Sequence, residues 1–246
     1  MNTLGIDIGG SAVKGALVDT DSGELASERI RKVTRTILKP KEIVGLIVAI
    51  QQELKYSGPI GAGFPGIVRH GIIHSSANLH KAWIGENLGE MLFKATGQKG
   101  YVLNDADAAG LAEMRFGIPE ARNKHVVLFL TVGTGIGSAF FLDGKLLPNT
   151  ELGHVQVRGK DAEYRASAAV KRLEKLSWKA WGERFNEVLQ TYEFLFSPDL
   201  IILGGGISTR FDDFSKYLKV DTQVLPAKLQ NLAGIIGAAM AAREAL

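Results

Sequence analysis

The chain has 246 residues, a formal net charge of +3 and no cysteine. This length allows a sizeable buried core, in one large domain or two smaller ones, and the lack of cysteine excludes disulfides, thiol catalysis and cysteine-bound zinc. No apolar run reaches the roughly 18 residues of a transmembrane helix, and the first residues lack the pattern of a signal peptide. We therefore expect a cytoplasmic protein without a membrane partner.

Strand signals dominate the first part of the chain. Apolar patterning predicts strands at 4–8, 12–19 and 25–33, followed by a helix at 41–56 whose apolar residues recur at helical spacing. The remaining elements predicted before residue 120 are strands at 59–64 and 101–103 and a helix at 106–116.

From residue 126 onward the order of strand, glycine loop and strand repeats. The elements predicted in this part are strands at 126–130 and 136–142, a third strand after a turn at 143–144, helices at 165–176 and 178–196, a strand at 200–203 and a helix at 233–243.

Two glycine-rich loops, at 7–11 and 131–135, each lie between two apolar runs. Glycine has no Cβ, so backbone N–H groups and a neighbouring hydroxyl can converge on an anion there. Two such loops about half a chain apart suggest a duplicated fold that binds one phosphate chain from both sides of a cleft. The candidate phosphate-binding residues are Gly9, Gly10, Ser11, Lys14, Thr131, Gly133, Thr134 and Gly135.

Asp7 enters the first loop and is the candidate metal-side carboxylate. Magnesium binds phosphate-transfer sites through one or two carboxylates, often through water, and offsets the charge of the phosphates. The alternative is a structural turn in which Asp7 only caps the loop. Lys14 lies on the returning strand and could reach a phosphate.

Asn104 and Asp105 lie where a predicted strand ends and a helix begins, the edge at which open α/β sheets bind ligands. Asp105 could act as a general base toward a sugar hydroxyl. It could also be a helix N-cap, and of the nearby residues Asp107 is the better candidate for a pure cap.

Glu151 and His154 follow the second loop and lie three residues apart. A carboxylate and an imidazole at this spacing suit the hydroxyls of a sugar, or a metal ion. A single histidine is more often structural, so both interpretations stay open on these residues alone.

Several motifs together resemble the ROK sugar kinases of the actin-like ATPase superfamily. Within that family the chain is most similar to the polyphosphate glucokinase branch, and the resemblance covers essentially the whole chain. The family motifs are at 7–14, 104–105, 131–137, 151–154 and 203–208, and those typical of the branch are at 104–110, 148–154 and 194–200.

The resemblance implies an α/β, actin-like (ribonuclease H-like) kinase fold with two lobes, each a mixed sheet flanked by helices. The first lobe would span residues 1–110 and the second lobe residues 111–229. A C-terminal helix within 230–246 would pack back on the first lobe.

The resemblance also implies roles for individual residues. Asp105 would be the catalytic base that acts on the 6-hydroxyl of glucose, with Mg²⁺ as cofactor and polyphosphate, or also ATP, as phosphoryl donor. Gly204, Gly205 and Gly206 would lie on the nucleotide side. The residues expected to bind the sugar are Gly66, Asn78, Asn104, Asp105, Glu151, His154 and Glu163.

The chain departs from many ROK kinases in one respect. Those proteins carry a cysteine-rich zinc motif after the Glu-x-x-His sequence, whereas residues 155–162 contain no cysteine. We therefore expect no zinc, and another interaction must brace the loop that carries Glu163. The resemblance further implies a homodimer.

Three other functions are alternatives to a polyphosphate-dependent kinase. The nearest is an ATP-dependent glucose or mannose kinase of the same family. A sugar-sensing transcriptional regulator needs a DNA-binding helix-turn-helix before the first loop, and only six residues precede Asp7, so we expect no nucleic-acid partner. A catalytically silent scaffold would not need the pairs at 104–105 and 151–154.

A polyphosphate donor also needs a track of positive charge. If residues 165–179 form one helix, Lys171, Lys175 and Lys179 make a basic stripe, as do Arg165 and Arg172 seven residues apart. The alternative is an ordinary solvated helix face.

Overall fold

The computed structural model describes residues 1–34, 37–76 and 79–245. The chain forms two compact units, one made of Met1–Ala112 with Leu232–Leu246 and the other of Glu113–Asn231. No helix within the described ranges combines the length and the apolar character that crossing a bilayer requires.

The first unit is built on a mixed sheet. Its strands follow the spatial order β3-β2-β1-β5-β8, and β4 also pairs with β2; β1 is antiparallel to β2 and parallel to β5. The elements up to Ala112 are β1 (Asn2–Ile8), β2 (Ala12–Asp19), β3 (Glu24–Leu25), β4 (Ile30–Val33), α1 (Pro40–Glu53), β5 (Ile60–Phe64), β6 (Val68–Arg69), β7 (Ile72–Ile73), α2 (Leu88–Thr96), β8 (Gly100–Asn104) and α3 (Asp105–Ala112).

The predicted single strand at 25–33 is wrong, because β3 and β4 are separate strands that both pair with β2. Between them, the hydroxyl of Ser27 accepts a hydrogen bond from the backbone N–H of Leu17 at 2.9 Å. The side chain thus takes the place of a ladder partner, and the strand is interrupted.

The second unit repeats this arrangement with a sheet of order β11-β10-β9-β14-β15, in which β9 is antiparallel to β10 and parallel to β14. A mixed sheet with flanking helices in each unit confirms the α/β prediction. The elements are β9 (Val126–Val132), β10 (Ile136–Leu142), β11 (Lys145–Leu147), β12 (Gln156–Val157), β13 (Lys160–Asp161), α4 (Ala162–Ala166), α5 (Ala168–Leu173), α6 (Trp178–Phe196), β14 (Leu200–Gly204), α7 (Phe211–Phe214) and β15 (Gln223–Pro226).

The predicted helix at 165–176 is also wrong. Ser167 has extended backbone angles and ends α4, and its hydroxyl accepts from the N–H of Val170 at 3.3 Å, which makes it the N-cap of α5. Lys175 has a φ of 52° beyond the end of α5. Lys171, Lys175 and Lys179 therefore lie on three different segments, and they do not form a helical stripe.

The α-helix predicted at 106–116 ends at Ala112. The residues that follow it, Glu113–Gly117, form a π-helical turn. The buried carboxylate of Glu113 accepts backbone hydrogen bonds from Lys228 at 3.1 Å and Leu229 at 2.7 Å. Burial raises the pKa of Glu113, and these hydrogen bonds oppose that rise. The turn is thereby tied to a segment more than a hundred residues away.

The C-terminal helix α8 (Ala233–Glu244) belongs to the first unit and packs on its sheet. Glycines make the close approach possible. A Cβ at Gly61 would lie 1.8 Å from the carbonyl oxygen of Ala238, and a Cβ at Gly5 would lie 2.0 Å from that of Ile235. The backbone of α8 therefore lies directly on β1 and β5.

Candidate active site

The first glycine loop is the turn between β1 and β2. Asp7 and Lys14 face each other across the two strands, and Lys14 Nζ donates to Asp7 Oδ2 at 2.8 Å. Thr34 donates to the carbonyl oxygens of Gly10 at 2.9 Å and Ser11 at 3.0 Å. Thr34 thus fixes the loop through two hydrogen bonds, and the charge of Lys14 is balanced by Asp7.

Asp7 is compatible with a cation that a phosphorylated substrate brings with it. Within the described ranges, no group of three or more His, Cys, Asp or Glu side chains could hold a metal ion. Magnesium in phosphate-transfer sites uses one or two carboxylates together with substrate phosphates. Gly234 lies beside Asp7, where an added Cβ would be 3.5 Å from the carboxylate carbon. One half-buried carboxylate with a small neighbour suits this kind of site.

Asn104 is the N-cap of α3. Its Oδ1 accepts from the backbone N–H groups of Ala106 at 2.8 Å and Asp107 at 3.1 Å, so the expectation that Asp107 is the better cap is wrong. Asp105 is the first residue of the helix and its Oδ1 accepts from Ala106 at 2.8 Å. A negative charge at a helix N-terminus is stabilised by the helix dipole, so the position favours an ionised Asp105.

Gly66, another of the predicted sugar-binding residues, is in the first unit. Asn104 Nδ2 donates to the carbonyl oxygen of Gly66 at 3.2 Å, which joins the end of β8 to the turn after β5. A Cβ at Gly66 would lie 2.3 Å from the carbonyl oxygen of Ser75, so the turn can close only with glycine. Asn78 lies outside the described residues.

The second glycine loop is the turn between β9 and β10. Gly133 is anchored by its carbonyl oxygen, which accepts from Ala169 N–H of α5 at 3.1 Å. Glu163 lies against the loop, since a Cβ at Gly135 would be 2.3 Å from Glu163 Oε2. Thr134 is exposed at the tip, and Thr131 is on β9. Glu163, a predicted sugar-binding residue, is therefore adjacent to the predicted phosphate-binding loop within this unit.

The third glycine loop, Gly204, Gly205 and Gly206, leaves the end of β14 beside β9. Gly204 is paired with Thr131 in the parallel ladder. Gly205 has a φ of 76°, and a Cβ there would lie 2.7 Å from the carbonyl oxygen of Val132. The second and third glycine loops are therefore in direct contact.

Glu151 is held by a network around the hydroxyl of Ser138. Ser138 Oγ donates to the carbonyl oxygen of Thr150 at 2.7 Å and accepts from Leu152 N–H at 3.0 Å. Tyr192 donates to the carbonyl oxygen of Leu152 at 2.7 Å. The half-buried Glu151 is thus flanked by two fixed residues. Burial raises its pKa, His154 opposes that rise and Glu163 adds to it.

His154 is braced by Asp161, seven residues later. His154 Nδ1 lies 3.0 Å from Asp161 Oδ2, and this hydrogen bond raises the pKa of His154. Asp161 ends the β12–β13 hairpin, whose turn is formed by Arg158 and Gly159 at φ values of 52° and 76°. This hairpin, followed directly by α4, positions Glu163 in a segment that contains no cysteine.

We expect Asp161→Asn to lower the pKa of His154, because the variant removes the negative charge that favours imidazolium. The folded pKa lies above the ordinary value of about 6.5, so the pair stabilises the fold fully below that value. This stabilisation is lost as the pH rises through the folded pKa. An NMR titration of the histidine ring checks the shift. Asp143→Asn is the matched control: it should lower the pKa of His125, which Asp143 raises, and leave the pKa of His154 as it is. An unchanged pKa of His154 in Asp161→Asn would contradict the assignment.

Sequence reasoning did not find Thr34, Ser138 and Asp161, which hold the loops and the Glu151 segment. Only Asp161 had a partial signal, because Gly159 suits one of the positive-φ positions of a two-residue hairpin turn. Thr34 and Ser138 act through contacts distant in sequence, and no local pattern marks them.

This chain is similar to known proteins in sequence and in structure. The model of the ROK family matches residues 3–168. Polyphosphate glucokinase of Mycobacterium tuberculosis is 44% identical over 239 residues, covering 97% of this chain and 90% of that protein. The structure of inorganic polyphosphate/ATP-glucomannokinase from Arthrobacter sp. strain KM is 43% identical with a TM-score of 0.94, covering 100% of this chain and 99% of that chain.

A more distant structure agrees in fold. The ROK family glucokinase from Streptomyces griseus, solved in complex with glucose and AMPPNP, is 24% identical with a TM-score of 0.84, and the match covers 99% of this chain and 100% of that one. The actin-like fold expected from the resemblance is confirmed. The family model matches well over half of the chain, and a relative is 44% identical over nearly all of it; this chain therefore belongs to the ROK family.

Proposed function

We propose that this protein transfers a phosphoryl group from inorganic polyphosphate to the 6-hydroxyl of glucose. The observation that carries the proposal is the 44% identity to polyphosphate glucokinase over 97% of the chain. The glycine loops support it, because a phosphate chain needs backbone N–H groups and cations but no nucleoside.

Asp105 is the general base in this proposal. It accepts the proton of the 6-hydroxyl while the oxygen forms its bond to phosphorus and the bond from phosphorus to the rest of the polyphosphate breaks. The products are glucose 6-phosphate and a polyphosphate one unit shorter. The place of Asp105 at the N-terminus of α3 supports the role, since it favours the ionised carboxylate that a base requires.

The other hydroxyls of glucose are bound by Glu151, His154 and Glu163. Burial makes the carboxylate of Glu151 a strong acceptor, because few water molecules compete for it. Asp161 fixes the ring of His154 through Nδ1, and the other ring nitrogen, Nε2, would then bind a sugar hydroxyl. Asn104 has a second amide hydrogen beyond the one that it donates to Gly66, and this hydrogen is suited to a hydroxyl.

The phosphoryl donor is bound by the backbone of the first and second glycine loops and by Lys14. Phosphoryl transfer depends on a divalent cation, for which we propose magnesium near Asp7; it would supply positive charge that offsets the charge of the phosphates. Asp7 also holds Lys14 in place at 2.8 Å. Loss of Asp7 would therefore affect the metal and the orientation of the lysine together.

ATP is the second candidate donor and mannose the second candidate acceptor. The name of the Arthrobacter enzyme includes both donors and both sugars, and the family resemblance implies that the Gly204–Gly206 loop lies on the nucleotide side. The family resemblance also suggests a homodimer, which light scattering would test.

Glucose phosphorylation measured with polyphosphate in nucleotide-free buffer, and separately with ATP, tests the proposal. We expect turnover with polyphosphate and a higher kcat/KM for polyphosphate than for ATP. Turnover with ATP alone would establish the second candidate and refute the first.

A further inference from the structure

Two cations of the second unit contact the same aromatic ring. Lys171 Nζ lies 4.0 Å from the centre of the Trp178 ring, and the guanidinium carbon of Arg210 lies 5.2 Å from it. The two residues come from α5 and from the turn Gly206–Arg210, which are separated by more than thirty residues of sequence. Packing, and not sequence spacing, brings their charges together.

The two cations are carried by segments attached to the two glycine loops of the second unit. Lys171 is on α5, two residues beyond Ala169, whose N–H donates to the carbonyl oxygen of Gly133. Arg210 ends the short turn that starts at Gly206, and Thr209 Oγ1 donates to the carbonyl oxygen of Gly206 at 3.0 Å. Each cation is therefore connected to one of the loops by a short, hydrogen-bonded segment.

The charges of the pair are only partly balanced. Arg210 Nε donates to Asp213 Oδ2 at 2.5 Å, whereas Lys171 Nζ donates to a neutral acceptor, the carbonyl oxygen of Leu176, at 3.0 Å. Arg210 is 57% exposed and Lys171 is half-buried. The two cations carry like charge and contact the same indole, and an anion that bound both would offset that charge.

The Trp178 ring is packed against other aromatic rings of the unit. Trp178 stacks on Phe214 with ring centres 6.0 Å apart and an angle of 21°, and it packs edge-on against Trp181. Lys171 lies over the same indole. The site therefore offers cations for phosphate oxygens, and its indole already stacks on Phe214.

We propose that Lys171 and Arg210, held in place by Trp178, bind phosphates of the polyphosphate chain beyond the one that is transferred. This inference rests on the proposed function and names a donor subsite for it. The cation pair replaces the helical stripe of Lys171, Lys175 and Lys179, which the fold rules out. Lys179 lies on α6, where its nearest acid is Glu183 at 4.0 Å.

The variants Lys171→Met and Arg210→Gln test the subsite, with Lys179→Met as the matched control. Methionine keeps the apolar contact with Trp178 and removes only the charge. Each test variant should lower the ratio of kcat/KM for long-chain inorganic polyphosphate to kcat/KM for ATP by about threefold to tenfold. Lys179→Met should keep the ratio of the unmodified protein. Lys171→Arg should keep it as well, because this variant retains the positive charge.

Salt dependence gives a second readout that a folding defect would not imitate. Each lost phosphate contact should reduce the slope of log KM for polyphosphate against log salt by about 0.7. Suppose that the unmodified protein uses polyphosphate and that both test variants keep its kcat/KM ratio and its salt slope. This result would overturn the subsite and leave the proposed function standing. Equal losses with both donors would also overturn it. If the unmodified protein does not use polyphosphate, the proposed function itself fails.

Discussion

Asp105→Asn should lower kcat for glucose phosphorylation by about 10²–10⁴-fold, the usual contribution of a general base. The amide cannot accept the proton of the 6-hydroxyl, so the attacking oxygen is not activated. Asparagine keeps the oxygen that accepts from the N–H of Ala106 at 2.8 Å, and the start of α3 should therefore be preserved. KM for glucose should change little, because the variant removes an interaction needed in the transition state.

Steady-state kinetics with each donor, together with the melting temperature, checks this result. Asp21→Asn is the control in the same unit, since Asp21 is 82% exposed and forms an ion pair with the N-terminus. The control should keep the activity of the unmodified protein. A kcat for Asp105→Asn within a few-fold of that value, in a folded protein, would refute the role of Asp105 as base.

Gly61→Ala should destabilise the protein by about 3 kcal/mol or more, because its Cβ would lie 1.8 Å from the carbonyl oxygen of Ala238. The obstacle is the backbone of α8, which cannot rotate away as a flexible side chain can. Either α8 moves off β5 or the sheet distorts, and both cost packing. For a chain of this size the loss corresponds to a fall in Tm of about 6–12 °C.

Gly45→Ala is the matched control for this prediction. Gly45 lies in the middle of α1, and a Cβ there meets no atom within 4 Å. Alanine has a higher helix propensity than glycine, so the control should stabilise the protein by up to about 1 kcal/mol. Thermal unfolding of both variants measures the contrast. Equal melting temperatures would mean that α8 does not rest on β5 as described.

Long, strongly periodic segments were predicted well from sequence. The helix predicted at 178–196 is α6, and the strand predicted at 12–19 is β2. Errors occurred where one polar side chain competes with the backbone. Ser27 interrupts a strand, and Ser167 divides a helix. Hydrophobic periodicity carries no information about such hydrogen bonds, because they depend on one hydroxyl and its local geometry.

The amino-acid sequence by itself determined the α/β class, the glycine loops at the ends of strands and the family, because each of these depends on residues close together along the chain. The partners of the candidate site residues were decided only by the tertiary structure. Asn104 caps α3 and binds the turn at Gly66, and Lys171 and Arg210 both contact the ring of Trp178. These contacts arise because sheet order and helix packing bring distant segments together, and the spacing of residues along the sequence does not encode that convergence.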